Sequence, residues 1–218
     1  MTDTFRKAGV LSESPEEREF ELRAHIGAIW AGGRLFIGMY TFLLASLIFS
    51  YFYLRSSNNG QLWRPHHVSA PALYGTLIYG AVLLAGVLAI YGQHRLRKGF
   101  LLDWHVAGWT VVILGLFALI MQISEFSSLS FYPGSSGYAS SFIGFAVINI
   151  GTIGASTYWM ETALARSHRM TREMGGTVTQ FSMDPSSRSF RANVSSMTYW
   201  WGFVALSSTL LFAMFYVM

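Results

Sequence analysis

Five long runs of this chain contain no Asp, Glu, Lys, Arg or His: 35–54, 71–92, 106–124, 140–160 and 194–218. Each is close to the ~20 residues that a helix needs to cross a hydrocarbon layer. Backbone polar groups in lipid must be bonded inside the protein, so only helices and closed barrels span it. The runs are continuously apolar rather than alternating, which predicts helices over barrel strands. The pattern therefore predicts an all-α, polytopic membrane protein. A five-helix membrane domain occupies 34–218, behind an N-terminal tail, 1–33, that carries a surface helix.

The polar segments between the runs add detail. Residues 1–13 read as a disordered polar tail. Ser14-Pro15-Glu16-Glu17 is a helix start, with Ser at the cap, Pro at the first helical position and Glu completing a capping box. It predicts a helix over about 15–30, stopped by Gly32-Gly33. Phe20, Leu22, Ile26 and Trp30 would anchor it to the membrane face or to a partner protein. Asn58-Asn59-Gly60 and Pro133-Gly134 mark turns. The segment after Glu161 is the longest and most polar; it predicts a helical extension, then irregular chain around Gly175-Gly176 and Asp184-Pro185.

Charge sets the orientation. Thirteen of the fifteen basic residues fall on one side: five in the tail, then Arg95, Arg97 and Lys98, then Arg166, Arg169, Arg172, Arg188 and Arg191. Only Arg55 and Arg64 lie on the other. The positive-inside rule places the N-terminus in the cytoplasm and the C-terminus outside, as five crossings require. At 52% hydrophobic and 12% charged the chain does not read as a soluble globular domain. The net charge of +4 points to lipid headgroups rather than nucleic acid, with Arg95, Arg97, Lys98, Arg166 and Arg169 as candidate phosphate contacts. There is no cysteine, hence no disulfide, thiolate metal site or iron–sulfur cluster. No cleavable signal peptide is expected.

Candidate chemistry is sparse. The histidines (His25, His66, His67, His94, His105 and His168) fall in tails, loops or helix ends, so no haem or copper is expected in this chain. Met39, Met121 and Met214 read as packing residues. The bundle interior is expected to be free of charge. Glu125 and Glu161, each at the end of a run, read as interfacially solvated or hydrogen-bonded between helices; docking or lipid contact is the sharper alternative. Ala81, Ala85 and Ala89 on the second span, and Gly151 and Ala155 on the fourth, are small-residue surfaces that permit close helix contact. Asn149, Thr152, Ser156 and Thr157 are expected to bond across helices. Helix packing or partner contact is thus assigned to Gln122, Glu125, Asn149, Gly151, Ala155 and Glu161.

Five segments, in order, resemble one family. They are Gly38–Ser46 with Tyr51–Arg55; Ala70-Pro71; Gly115 with Gln122-Ile-Ser-Glu125; Tyr138, Ser141 and Phe142; and Tyr199-Trp200-Trp201-Gly202-Phe203-Val204. The chain from about residue 34 is similar to subunit III of haem–copper terminal oxidases in its short five-helix form. It departs where that family has a membrane-embedded glutamate (near Ala45-Ser46), a histidine (at Asn149), and a closing-helix His and Asp (at Gly202 and Ala205). Roles tied to those groups are not carried over; aromatic belts from Trp63, Trp104, Trp109 and Trp159 are.

The resemblance implies a non-catalytic accessory subunit of a bacterial inner-membrane respiratory oxidase. Haem and copper would reside in the catalytic subunit I, and the partners would be that subunit, other oxidase subunits and membrane phospholipids. An accessory protein of a nitric-oxide reductase, a stand-alone transporter and an assembly factor remain the alternatives.

Overall fold

The computed structural model describes residues 14–58, 60–66, 68–173 and 185–218. The polar tail at 1–13, the Gly175-Gly176 break, Asp184, Asn59 and His67 lie outside them. The described chain is helical, with five helices long and apolar enough to cross a membrane. They are α1 (Pro15–Ser57), α2 (Ala72–Arg97), α3 (Leu101–Ser127), α4 (Gly137–Glu173) and α5 (Pro185–Phe212), the last running on into a π-helical turn, Ala213–Val217. A single helical turn, Gly60–Trp63, follows α1.

The start of α1 is the one expected. The Glu17 N–H donates to Ser14 Oγ at 3.2 Å, and the Ser14 N–H donates to Glu17 Oε2 at 2.8 Å. The stop at Gly32-Gly33 is overturned. There is one helix of 43 residues instead of a surface helix followed by a separate span. Mid-helix glycine costs roughly 1 kcal/mol relative to alanine, which weakens a helix without ending it. At Gly33 a contact compensates, because α5 crosses there. A Cβ on Gly33 would sit 2.1 Å from Ser196 Oγ. At about 1.5 Å per residue α1 is roughly twice as long as a hydrocarbon layer is thick. Its charged first part therefore projects beyond the membrane, where Arg188 at the start of α5 pairs with Glu19 (Nη1 to Oε2, 2.9 Å).

Helices α2 to α5 close into a ring: α2 packs on α3 and α5, and α4 packs on α3 and α5. Helix α1 lies outside, against α5 and α4. Helices α2 and α3 form a tight hairpin, turned at Gly99, whose φ of 86° suits a residue without Cβ. Small residues let the ring close. Ala81, Ala85 and Ala89 are buried, and between them Gly86 meets α5. A Cβ on Gly86 would lie 2.9 Å from the Ala205 methyl and 3.4 Å from the Trp201 carbonyl oxygen. On α3, Gly115 faces Thr157 of α4 in the same way.

One end of the bundle is an aromatic plug of Tyr51, Trp63, Phe131, Tyr138, Phe142 and Phe215. The last carbonyls of a helix lack partners within it. Here Tyr51 and Tyr138 supply them, donating to the backbone oxygens of Met214 and Phe215, each at 2.9 Å. At the other end Trp104, Leu164, Phe190 and Trp201 are buried together. Trp63 and Trp104 are core residues, therefore, and not members of an interfacial belt; Trp109 is exposed.

Candidate functional site

The last turns of α3 carry Gln122-Ile-Ser-Glu125. Spacing of three residues puts both polar side chains on one helical face. That face turns into the ring: Glu125 is 0% exposed and Gln122 3%. Tyr216, in the π-helical turn, donates its hydroxyl to Glu125 Oε1 at 2.5 Å. Gln122 Nε2 donates to Glu125 Oε2, also at 2.5 Å. Asn149 of α4 donates through Nδ2 to Gln122 Oε1 at 3.0 Å. Four side chains thus join α3, α4 and the end of α5.

Space for this joint comes from Gly75 on α2. A Cβ there would lie 2.3 Å from the Tyr216 ring, so glycine admits the phenol. Inside the ring, a cavity of about 40 Å³ is bounded by Gln122, Asn149, Ser208 and Tyr216 among apolar residues. Its wall is mainly apolar, with these polar side chains on it, and its volume is large enough for ordered water. No lysine, arginine or histidine joins the network among the described residues. A buried carboxyl without a cation is tolerated only when its oxygens are hydrogen-bonded, which Tyr216 and Gln122 achieve. As arranged, the site is a helix-locking joint.

Of the two readings of Glu125, the hydrogen bond between helices holds: the carboxyl accepts from Tyr216 and is enclosed rather than solvated at the boundary. The apolar run ended at Ser124 only because Glu125 itself breaks the pattern, whereas α3 continues to Ser127. Gln122 and Glu125 sharing one face was the legible signal. Tyr216, the third partner, carried none, because it lies 91 positions away.

Other polar residues of α4 bond across the bundle. Thr152 Oγ1 pairs with the Tyr40 hydroxyl. Trp200 Nε1 donates to Ser156 Oγ at 2.7 Å. Thr157 differs: its hydroxyl returns to the Ile153 carbonyl of its own helix. Gly151, Ala155 and Glu161 point outward, and no atom lies within 4 Å of a Cβ placed on Gly151. They make no close contact within the bundle.

The basic residues divide as well. Arg95 is committed within the chain, to Asp103 (Nε to Oδ2, 2.5 Å) and over the Phe100 ring at 3.9 Å. Arg97 donates to Ser195 Oγ at 3.1 Å, which also accepts from Gln93 at 2.6 Å. Lys98, Arg166 and Arg169 are exposed. His105 and His168 stack at 4.1 Å between α3 and α4, with His105 Nε2 2.9 Å from Ser167 Oγ. Among the described residues no group of three His, Asp or Glu side chains converges as metal ligands would. A scan against family models finds no match for this chain, and a search of curated proteins finds none either.

Proposed function

We propose that this chain is a non-catalytic accessory subunit, resembling subunit III, of a bacterial respiratory haem–copper oxidase that reduces oxygen to water. It braces the catalytic subunit and holds structural lipid in the inner membrane. Haem and copper belong to that neighbour. The observation that carries this reading is the outward face of α4. Cβ atoms built on Gly144, Gly151 and Gly154 meet nothing within 4 Å, and Ala155 beside them is exposed. Glycine in a membrane helix lets another helix approach backbone to backbone, where van der Waals contact replaces the hydrophobic drive that lipid removes. The Gln122–Glu125 pair agrees with the role, because its polar groups are consumed in holding the bundle together.

The test is purification in mild detergent through a tag on this chain, with identification of what accompanies it and an optical spectrum of the product. A catalytic oxidase subunit and its haem absorbance are expected to co-purify. Gly151→Leu is expected to reduce the recovered partner at least about tenfold, a loss of 1.4 kcal/mol or more in association. The thermal stability of the bundle itself should be unchanged, since the added side chain meets open space. Haem retained by this chain after the partner is stripped away would contradict the reading, as would full partner recovery with Gly151→Leu. Orientation has its own check: a reporter fused after Met218 is expected to be active only outside the cytoplasm.

A further inference from the structure

Of the five spans, α1 is the one its own chain encloses least; only Leu44 and Tyr51 along its 43 residues are buried. Its outward face carries a repeat. Small residues recur every seven positions, at Ala24, Ala31, Gly38 and Ala45. Between them, also seven apart, stand Ala28, Leu35, Phe42 and Phe49. Every one of these is exposed, Phe42 at 77% and Phe49 at 72%. Alternating spacings of three and four residues make the seam of a left-handed helix pair, in which large side chains seat in the holes beside small ones. Lipid requires no such repeat, and glycine weakens a helix wherever nothing approaches it. No atom lies within 4 Å of a Cβ placed on Gly38, so nothing within the chain accounts for its size.

The seam also runs out of the membrane. Phe20, 74% exposed, flanks it about 20 Å along the helix axis beyond Arg34, the last charge before the apolar run. A headgroup layer is only about 5–8 Å deep, so lipid does not reach this ring. Glu17 and Glu21 continue the seam at the same spacing and are exposed. Neither pairs with a basic side chain among the described residues. Two copies of this chain share one orientation in the membrane, so in a paired α1 each acidic layer would face itself and repel. A neighbouring membrane helix that ends in the cytoplasm instead carries an excess of Lys and Arg at this level. We propose that the outward seam of α1 pairs along its length with one membrane helix of a different subunit, whose basic cytoplasmic end lies against Glu17 and Glu21. The inference rests on the accessory-subunit reading and adds a second contact to it, on α1 rather than α4.

The experiment places the photoreactive residue p-benzoylphenylalanine at single positions of α1 in cells making the full chain, and identifies each adduct by mass spectrometry. In place of Leu35, Gly38, Phe42, Ala45 or Phe49 it is expected to capture one membrane protein with a basic cytoplasmic flank. In place of Phe36, Leu43 or Ser50, equally exposed but off the seam, the yield should be at least about fivefold lower. That contrast separates a packed helix from lipid, which touches all eight. Gly38→Leu is expected to lower the adduct at position 42 about tenfold while leaving the unfolding of the bundle unchanged, since the added side chain meets open space. Glu21→Lys, which leaves the capping box intact, should lower it about threefold, as loss of an exposed ion pair does. An adduct of twice this chain's mass, an adduct with its own residues 1–13, equal yields on and off the seam, or an unchanged yield in either variant would each overturn the assignment. The catalytic subunit is read through Gly151→Leu on α4, so loss of the α1 adducts alone sinks this inference and leaves the accessory-subunit reading standing.

Discussion

Glu125→Ala is expected to destabilise the bundle by about 2–4 kcal/mol, a large part of what holds a marginally stable membrane domain together. The carboxyl accepts from Tyr216 and from Gln122, and all three side chains lie in the interior or close to it. Truncation leaves two buried donors without acceptors, and each such group costs roughly 1–3 kcal/mol. The lower half of the summed range applies, because hydrogen bonds between membrane helices average nearer ~0.6 kcal/mol when the unfolded reference also finds partners. Glu125→Gln separates chemistry from packing. Its amide can accept at one atom and donate at the other, and the Tyr216 hydroxyl can serve either way. A loss below about 1 kcal/mol is expected for that variant. Reversible unfolding in mixed micelles by titrated denaturing detergent measures both. Should Glu125→Ala unfold within about 0.5 kcal/mol of the parent, the joint is not what binds α3 to α5.

Gly86 carries the second large effect. Alanine there brings a methyl to 2.9 Å from the Ala205 methyl, with the Trp201 backbone oxygen 3.4 Å away. Neither neighbour is the end of a flexible side chain, so α2 and α5 must separate. Overpacking of this kind costs roughly 1–3 kcal/mol for a methyl and more for a larger group; Gly86→Leu is expected to prevent assembly of the ring. Ala205→Gly in the Gly86→Ala background should recover most of the loss, by removing the opposing methyl. Gly80 is the control. A Cβ on it meets nothing within 4 Å, and Gly80→Ala should be neutral or stabilising by up to about 1 kcal/mol through helix propensity. The same unfolding titration reads all four variants. A Gly86→Ala protein as stable as Gly80→Ala would mean that α2 and α5 do not meet at this point.

Two glycine positions show how far local pattern reaches. Gly32-Gly33 looks like a stop because glycine weakens helices, yet α1 runs through it, and the contact with Ser196 that explains Gly33 is contributed by α5. Gly151 and Ala155 look like the small residues of α2, yet they face outward while Ala85 and Ala89 are buried. Composition at a helical position tells how closely a neighbour can come. Which neighbour comes, or whether any does within the chain, depends on how the helix is rotated in the bundle. The basic residues divide likewise. Their clustering was plain from the sequence, but the commitment of Arg95 to Asp103 and of Arg97 to Ser195, with Arg34 left at a groove, depends on the α2–α3 turn and the α1–α5 crossing.

What the chain determined by itself is the set of five long apolar helices, the cap at Ser14 and the small-residue seam of α2. These are local: transfer of apolar residues into lipid and satisfaction of a helix start depend on neighbours a few positions apart. Only the tertiary structure decided that Glu125 is walled in with Tyr216, that α1 is a single helix outside a ring of four, and that one face of α4 stays open. Those outcomes follow from the rotation and crossing of helices, which bring together residues far apart in the chain, and hydropathy along a line does not encode rotation about it.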